Sequence, residues 1–435
     1  MKRKGEADIL PARLHGADWV QLLFCLASCL LVFFRDHMTG YRDIILFCTV
    51  AALSATLFLL DGGGLRIRRT WLFWTPYFAV ALAGIPFSQS RIDSIKVFLV
   101  DSLLLGSAAL YDRYSRRDPT LFRLIRGLSA VFTLSVIAQL IAPSAILEAD
   151  AVFMTPEQVQ QVENWYNSGF YTGFTIITGV AAYFCVVWIA ASVSCLLFAR
   201  KHRAFWLFPI ALGILALLLT KKRGHFLGAL LMIAAVIVLT KGKKARSMLL
   251  VFGGGMVVLL LVLSLIPQSR GIYERFLTSG LSGREYIYAI LLRKFRESPV
   301  IGIGLGSSGR FIFGNVPGTT AGTAHNEYLR VLCETGVLGF IAFTFAVFYQ
   351  YGYTIRQYRR ALNGGAELPD ETLRIMAFSL CMQTFILLHA LTENPLSSYD
   401  QLYMYFLSAA LGNPAPLENG GPDEPGNVRL SSALL

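Results

Sequence analysis

The chain is poor in charge. Only 15% of its 435 residues are Asp, Glu, Lys or Arg, whereas 55% are hydrophobic and 13% aromatic. A soluble domain carries roughly a quarter of its residues as charges, so this composition argues against a water-soluble fold. The seven cysteines, Cys25, Cys29, Cys48, Cys185, Cys195, Cys333 and Cys381, show neither zinc-ligand spacing nor a disulfide framework. No acid or His triad announces a metal site, and no cofactor is expected. No small-residue cleavage site follows the first apolar run, which excludes the usual pattern of a removable signal peptide. Acidic residues are also scarce, 27 against 39 Lys and Arg, which gives a formal charge of +12. Those cations are not gathered on one module with interleaved aromatics, so nucleic acid is not expected as a partner.

What the chain does have is apolar runs of about 16 to 25 residues, recurring almost end to end. Helices are expected near 18–34, 44–60, 71–87, 94–111, 127–146, 170–198, 204–220, 225–240, 248–267, 335–352, 374–392 and 400–413. The expected fold is therefore all-α, a polytopic membrane protein with about twelve spans. Asp101 falls inside the fourth span, where an ionisable group is costly and normally partnered.

Charge along the loops predicts orientation. If Lys2, Arg3, Lys4 and Arg13 are cytoplasmic, the loops on their side carry Arg66, Arg68 and Arg69, then Arg113, Arg116, Arg117, Arg123 and Arg126. The same side continues with Arg200, Lys201 and Arg203, then Lys241, Lys243, Lys244 and Arg246, then Arg356, Arg359 and Arg360. This is the positive-inside bias, with both termini cytoplasmic and the basic turns facing anionic lipid. On the other side, residues 148–169 hold Glu148, Asp150, Glu157 and Glu163 and no Lys or Arg, and residues 393–400 are free of cations.

Lys221-Lys222-Arg223-Gly224 breaks that bias. Three cations close one outward helix and open the next across almost no turn. Snorkelling toward headgroups is one reading. Binding a phosphate-bearing ligand is the other, since Arg grips phosphate oxygens through paired N–H groups and Lys adds a mobile charge.

A single long loop, 268–334, lies on the same expected face with eight cations and five anions. Ser282-Gly283-Arg284-Glu285 reads as a capping box that opens a surface helix, on which Tyr286, Ile287, Ile290, Leu291 and Phe295 recur at helical spacing. Arg284 then sits in a first turn whose free N–H groups favour an anion. Gly302-Ile303-Gly304-Leu305-Gly306 lacks the strand–turn–helix setting of a dinucleotide fingerprint and predicts a tight turn or close backbone approach to substrate. Residues 314–322, with Pro317, are expected to be flexible. His325, in Ala324-His325-Asn326-Glu327-Tyr328-Leu329-Arg330, is expected at a helix start, where a neutral imidazole can take a proton from a hydroxyl. His389 and Glu393, near the outer end of the eleventh helix, either line the same cavity or make bundle contacts.

Thr220 to Gly224, Ser282-Gly283-Arg284, Ser298-Pro299-Val300-Ile301-Gly302-Ile303-Gly304, His325 to Leu329 and Glu334-Thr335-Gly336 together resemble the shared core of bacterial O-antigen ligases and O-antigen or exopolysaccharide polymerases. The motifs cover roughly 205–350. The resemblance implies an undecaprenyl-diphosphate-linked glycan as donor at the periplasmic face of the inner membrane. A ligase passes the glycan to lipid A-core; a polymerase passes it to a second lipid-linked glycan. It also implies that Arg223 and Arg284 hold the diphosphate and that His325 is the base. Lys221 and Lys222 are auxiliary candidates, and Glu327, Tyr328 and His389 are expected substrate contacts.

The chemistry agrees with that resemblance. Sugar transfer must deprotonate a hydroxyl and stabilise a diphosphate as the anomeric bond breaks. Two arginines and a histidine can do this without metal, with inversion by in-line attack. A ligase is preferred because one compact loop suits one acceptor, with a polymerase and a proton- or ion-coupled transporter as alternatives. The expected organisation is N-terminal helices over 1–204, a core over 205–352 with its catalytic loop at 268–334, C-terminal helices over 353–413, and a flexible cytoplasmic tail over 414–435.

Overall fold

A computed structural model describes residues 16–38, 42–61, 66–114, 119–264, 284–313, 322–363, 368–413 and 427–429. The expected capping residue Ser282, the basic N-terminus and residues 314–321 lie outside them. The first half contains α1 (Gly16–Phe34), α2 (Arg42–Asp61), α3 (Arg69–Leu72), α4 (Thr75–Gly84), α5 (Arg91–Tyr114), α6 (Thr120–Ile141), α7 (Pro143–Ala151) and α8 (Pro156–Asn167). Then come α9 (Thr178–Leu197), α10 (Leu207–Leu219), α11 (Arg223–Lys241), α12 (Ala245–Ser264), α13 (Arg284–Glu297) and α14 (Ser308–Ile312). The last are α15 (Glu327–Asn363), α16 (Asp370–His389) and α17 (Tyr399–Leu411).

Helix α9 is apolar on every side, and its polar residues are only Thr, Ser, Tyr and Cys. Such a helix has no face to give to water, so it takes the centre, and nearly all of it is buried against α6, α10, α11 and α16. Small residues let neighbours come close: a Cβ on Gly213 of α10 would lie 2.6 Å from Ile189 of α9. Side-chain hydrogen bonds add specificity inside the apolar bundle, as between Ser28 and Tyr403 at 2.9 Å and between Thr240 and Tyr358 at 2.7 Å. Outward-facing positions stay apolar, including Ile45, Leu59, Leu99, Leu231, Ile341 and Phe348. An exposed apolar surface of this extent fits lipid rather than water.

Among the described residues, nine helical stretches are long and apolar enough to cross a membrane by length and composition. The expected segment 225–240 and the first part of 248–267 fall in one of these, Arg223–Val258, where α11 and α12 join through a 3-10 turn at Gly242–Lys244. Two more expected spans shorten to α10 and α17, of 13 residues each. The span expected at 170–198 begins only at Thr178, because Thr172 and Gly173 give their backbone N–H groups to the Gln139 side chain instead of a helix. Within the tail expected to be flexible over 414–435, Asn427–Arg429 pairs antiparallel with Arg66–Arg68.

One end of the bundle is stapled by Arg123 with Glu371, Arg200 with Asp370, and Lys241 with the carbonyl of Leu197. The other end carries α7, α8, α13 and the irregular segment 298–307. That segment runs beside α15, which is broken at Gly336 (φ 65°). Ile303 and Gly304 donate to the carbonyls of Cys333 and Glu334, and Val337 donates to that of Pro299. These bonds replace helical ones lost at the break. A Cβ on Gly302 would collide with the Glu334 carbonyl, and one on Gly336 with Val300. Gly302 and Gly336 therefore serve a close approach between two backbones.

Inside this packing, Arg330 reaches Glu327 through Nε at 3.0 Å and Glu334 through Nη1 at 2.5 Å. Glu334 also accepts from the Ser308 hydroxyl at 2.6 Å, and Asn394 donates to Glu327 at 3.4 Å. Buried Asp101 lies within electrostatic range of the same three charges, which supplies the neighbourhood its sequence position lacked.

Two stability outcomes follow from this geometry. Gly336→Ala combines positive φ with collision and should cost about 2 kcal/mol or more, whereas Gly106→Ala, with open space around it, should unfold at the wild-type temperature in the same detergent. Arg330→Met should cost about 3–5 kcal/mol by stranding two buried carboxylates, and Glu327→Gln/Arg330→Met/Glu334→Gln should recover part of that loss. Recovery to no more than the single variant would show that charge pairing is not what holds this region.

Candidate functional site

Helix α10 ends at Leu219, and the chain reverses within three residues. Lys221 adopts φ 54°, uncommon for a residue with a Cβ, and Lys222 is extended before α11 opens at Arg223. The left-handed residue splays the cations apart. Lys221 places its ammonium 5.1 Å from the Phe170 ring centroid, beside the backbone of Gly169. Lys222 lies toward Gly179, with its charge in range of His225 and His389. Arg223 is half-buried at the first position of α11. The next residue, Gly224, presses on a separate part of the chain: a Cβ there would stand 3.0 Å from Thr392 Oγ1.

Thr392 and Glu393 form the turn after α16. Arg284, first residue of α13, donates from Nη1 to the Thr392 carbonyl at 2.7 Å and from Nη2 to Glu393 Oε1 at 3.0 Å. Helix α13 is held down by buried Ile287 and Leu291; Tyr286, expected on its apolar face, is exposed.

His325 meets the other oxygen of the same carboxylate. Its Nδ1 lies 2.7 Å from Glu393 Oε2, and its Nε2 lies 3.0 Å from Thr323 Oγ1. The residue stands two positions before α15, at φ 49°, rather than in the helix. Asn326 makes the helix cap, accepting from Leu329 N at 3.0 Å, and Tyr288 of α13 donates to the His325 carbonyl at 3.1 Å.

Burial opposes the charge of Glu393, but the His325 hydrogen bond and the charges of His325, Arg284 and His389 overcome it and bring its pKa down to about 2. It is a carboxylate at neutral pH and can only accept. A neutral imidazole beside it therefore carries its proton on Nδ1 and turns the Nε2 lone pair toward the Thr323 hydroxyl.

The other expected contacts stand apart from this group. Glu327 is 0% exposed and its carboxylate is taken by Arg330. The Tyr328 hydroxyl donates to the Leu387 carbonyl at 3.2 Å, within the packing of α16. Both have structural partners where substrate contact was expected. His389 is 2% exposed, with its ring stacked on Phe385 at 5.0 Å and 4.0 Å from that of His225. Its backbone carbonyl accepts from Thr392 and Glu393, so it shapes the turn from behind.

Glu393 is the residue whose importance the sequence understated. The sequence offered it, with His389, either as a lining residue of the cavity or as a bundle contact, 68 residues from His325. Its joining of Arg284 to His325 required the fold.

No curated protein matches the chain. Residues 208–344 match the family model described as O-antigen ligase, a stretch running from α10 into α15 that contains Arg223, Arg284 and His325 and stops before Glu393. The match covers less than half of the chain, and the ordered motifs read from the sequence lie within it, so this part of the chain is similar to the O-antigen ligase family.

Proposed function

We propose that the protein transfers a glycan from undecaprenyl diphosphate to a lipid A-core hydroxyl at the periplasmic face of a bacterial inner membrane. The observation that carries this reading is the convergence of Arg284 and His325 on the two oxygens of Glu393, with Gly224 packed on the adjacent Thr392.

The proposed division of labour follows from the charges. His325 Nε2 takes the proton of the acceptor hydroxyl as its oxygen attacks the anomeric carbon. The bond from that carbon to the diphosphate oxygen breaks, and its electron pair leaves with the diphosphate. Glu393 orients the ring and stabilises the imidazolium that forms, the part a carboxylate plays beside a histidine base. Glu393 alone would repel a diphosphate. Arg284, already anchored on it, and Arg223 with Lys222 supply the cations that offset this and that meet the growing charge of the leaving group. In-line attack with inversion needs no covalent sugar intermediate.

A repeat-unit polymerase uses the same donor site and the same base, so the preference for a ligase rests on the acceptor. Purified protein given lipid-linked repeat alone should leave it unextended, and adding lipid A-core should yield glycan-bearing core. Elongation without the core would overturn the ligase reading in favour of the polymerase.

The catalytic assignments predict a graded series. His325→Ala, Arg223→Ala and Arg284→Ala should abolish transfer while the protein still inserts into the membrane. Glu393→Gln keeps the shape and loses the anion, so kcat should fall on the order of 10²-fold, within the range general base catalysis supplies. Transfer at the wild-type rate by His325→Ala would remove the base from the mechanism.

A further inference from the structure

Beside the Lys221 turn lies a group of rings that the proposed chemistry does not use. Helix α8 begins with a capping box between Thr155 and Gln158, has Pro156 in its first turn, and is polar along most of its 12 residues. It is not a membrane span. It sits on a small core of its own, with Val162 fully buried against Met154 and Ile176.

The end of this helix presents Trp165 and Tyr166. The chain then turns through Gly169 at φ 73°, with Phe170 N donating to the Trp165 carbonyl at 2.9 Å. The turn brings Phe170 and Tyr171 back onto the two earlier rings. Trp165 and Phe170 meet edge to face at 5.4 Å, and Tyr166 and Tyr171 do the same at 5.9 Å. All four side chains are half-buried. Tyr171 N donates to the Leu219 carbonyl at 3.4 Å, which ties the rings to the end of α10, and the Lys221 ammonium lies over Phe170.

We propose that Trp165, Tyr166, Phe170 and Tyr171 form a saccharide-binding ledge, which holds the donor's glycan beyond the sugar bonded to the diphosphate. This rests on the glycan-transfer reading above and deepens it. The C–H face of a pyranose is apolar and slightly positive, so it complements the negative face of an aromatic ring, while its hydroxyls need polar neighbours at the rim. Tyr166 and Tyr171 carry hydroxyls, and Asn167, next in sequence to Tyr166, is exposed.

Charge separates this ligand from a lipid headgroup. Residues 148–169 contain Glu148, Asp150, Glu157 and Glu163 and no cation, so the helix that supplies the first two rings repels phosphate. The Lys221 ammonium stands over Phe170, two residues before Arg223. A neutral polyhydroxyl chain over the rings, ending in a diphosphate at the arginines, matches that order of chemistry.

The test uses full-length protein with Trp165→Leu or Phe170→Leu, each keeping an apolar side chain to preserve packing. Two donors are compared, one carrying the complete repeat and one carrying a single sugar on the same lipid diphosphate. For the complete donor, KM should rise about tenfold, the scale of one lost aromatic contact, with kcat within about twofold, and the single-sugar donor should be unaffected. An equal KM rise for both donors, no rise for either, or a fall in thermal stability alone would overturn the ledge, the last pointing to an interfacial aromatic anchor.

A second measurement separates the ledge from the transfer reading. Free repeat oligosaccharide, released from the host's own donor by mild acid, should change the tryptophan fluorescence of Arg223→Ala protein and not that of Arg223→Ala/Trp165→Leu. If no donor supports transfer, the functional reading fails. The oligosaccharide titration still decides the ledge: the same response from both proteins, or from neither, refutes it.

Discussion

One guanidinium inside the bundle holds together segments that are far apart in the chain. Arg330 faces both Glu327 and Glu334; Glu334 extends to Ser308, and Glu327 to Asn394, while the Glu327 backbone N–H donates to the Ala390 carbonyl at 2.8 Å. The glycine-rich segment, the His325 turn and the turn after α16 therefore share one electrostatic anchor. In a medium of low dielectric such an arrangement has to be complete, because each unpaired charge is costly there. Glu327 is fully buried, with its carboxylate bonded to Arg330 and Asn394, so it supports this region from within.

Around this anchor the outer elements divide between rigidity and reach. The glycines at 302 and 336 let two backbones run in contact, so the base of the loop behaves as part of the helical core. Arg284 and His325 project from that base onto Glu393. The carboxylate serves both: it fixes one arginine and orients one imidazole, at the expense of placing a negative charge where a diphosphate is proposed to bind. In the proposed mechanism Lys222 and Arg223 offset that charge.

The fold class was legible because it depends on composition and periodicity, which are local. Runs of apolar residues predict helices whatever their partners, and the basic turns pair with the chain's few acids at one end of the bundle. Boundaries were less legible where a tertiary hydrogen bond competes with the helix. Residues 170–177 are apolar enough to extend α9, yet Gln139 takes the N–H groups of Thr172 and Gly173. Residues 427–429 looked like free tail because the strand they pair with, Arg66–Arg68, is more than 350 positions away in sequence.

In the candidate site, Arg223, Arg284 and His325 stood out because each lies in a short motif whose residue types carry their chemistry with them. That much was determined by the sequence alone, together with the membrane-spanning character of the chain. The tertiary structure decided how adjacent residues part. A single left-handed φ at Lys221 sends its ammonium to an aromatic ring and leaves Arg223 at the start of α11, near the Thr392 turn. Glu327 and His389 are buried, and the Tyr328 hydroxyl is taken by the Leu387 carbonyl. Glu393 became the centre only when the fold brought it to Arg284 and His325, since pairing across a long stretch of chain depends on packing that no local pattern encodes.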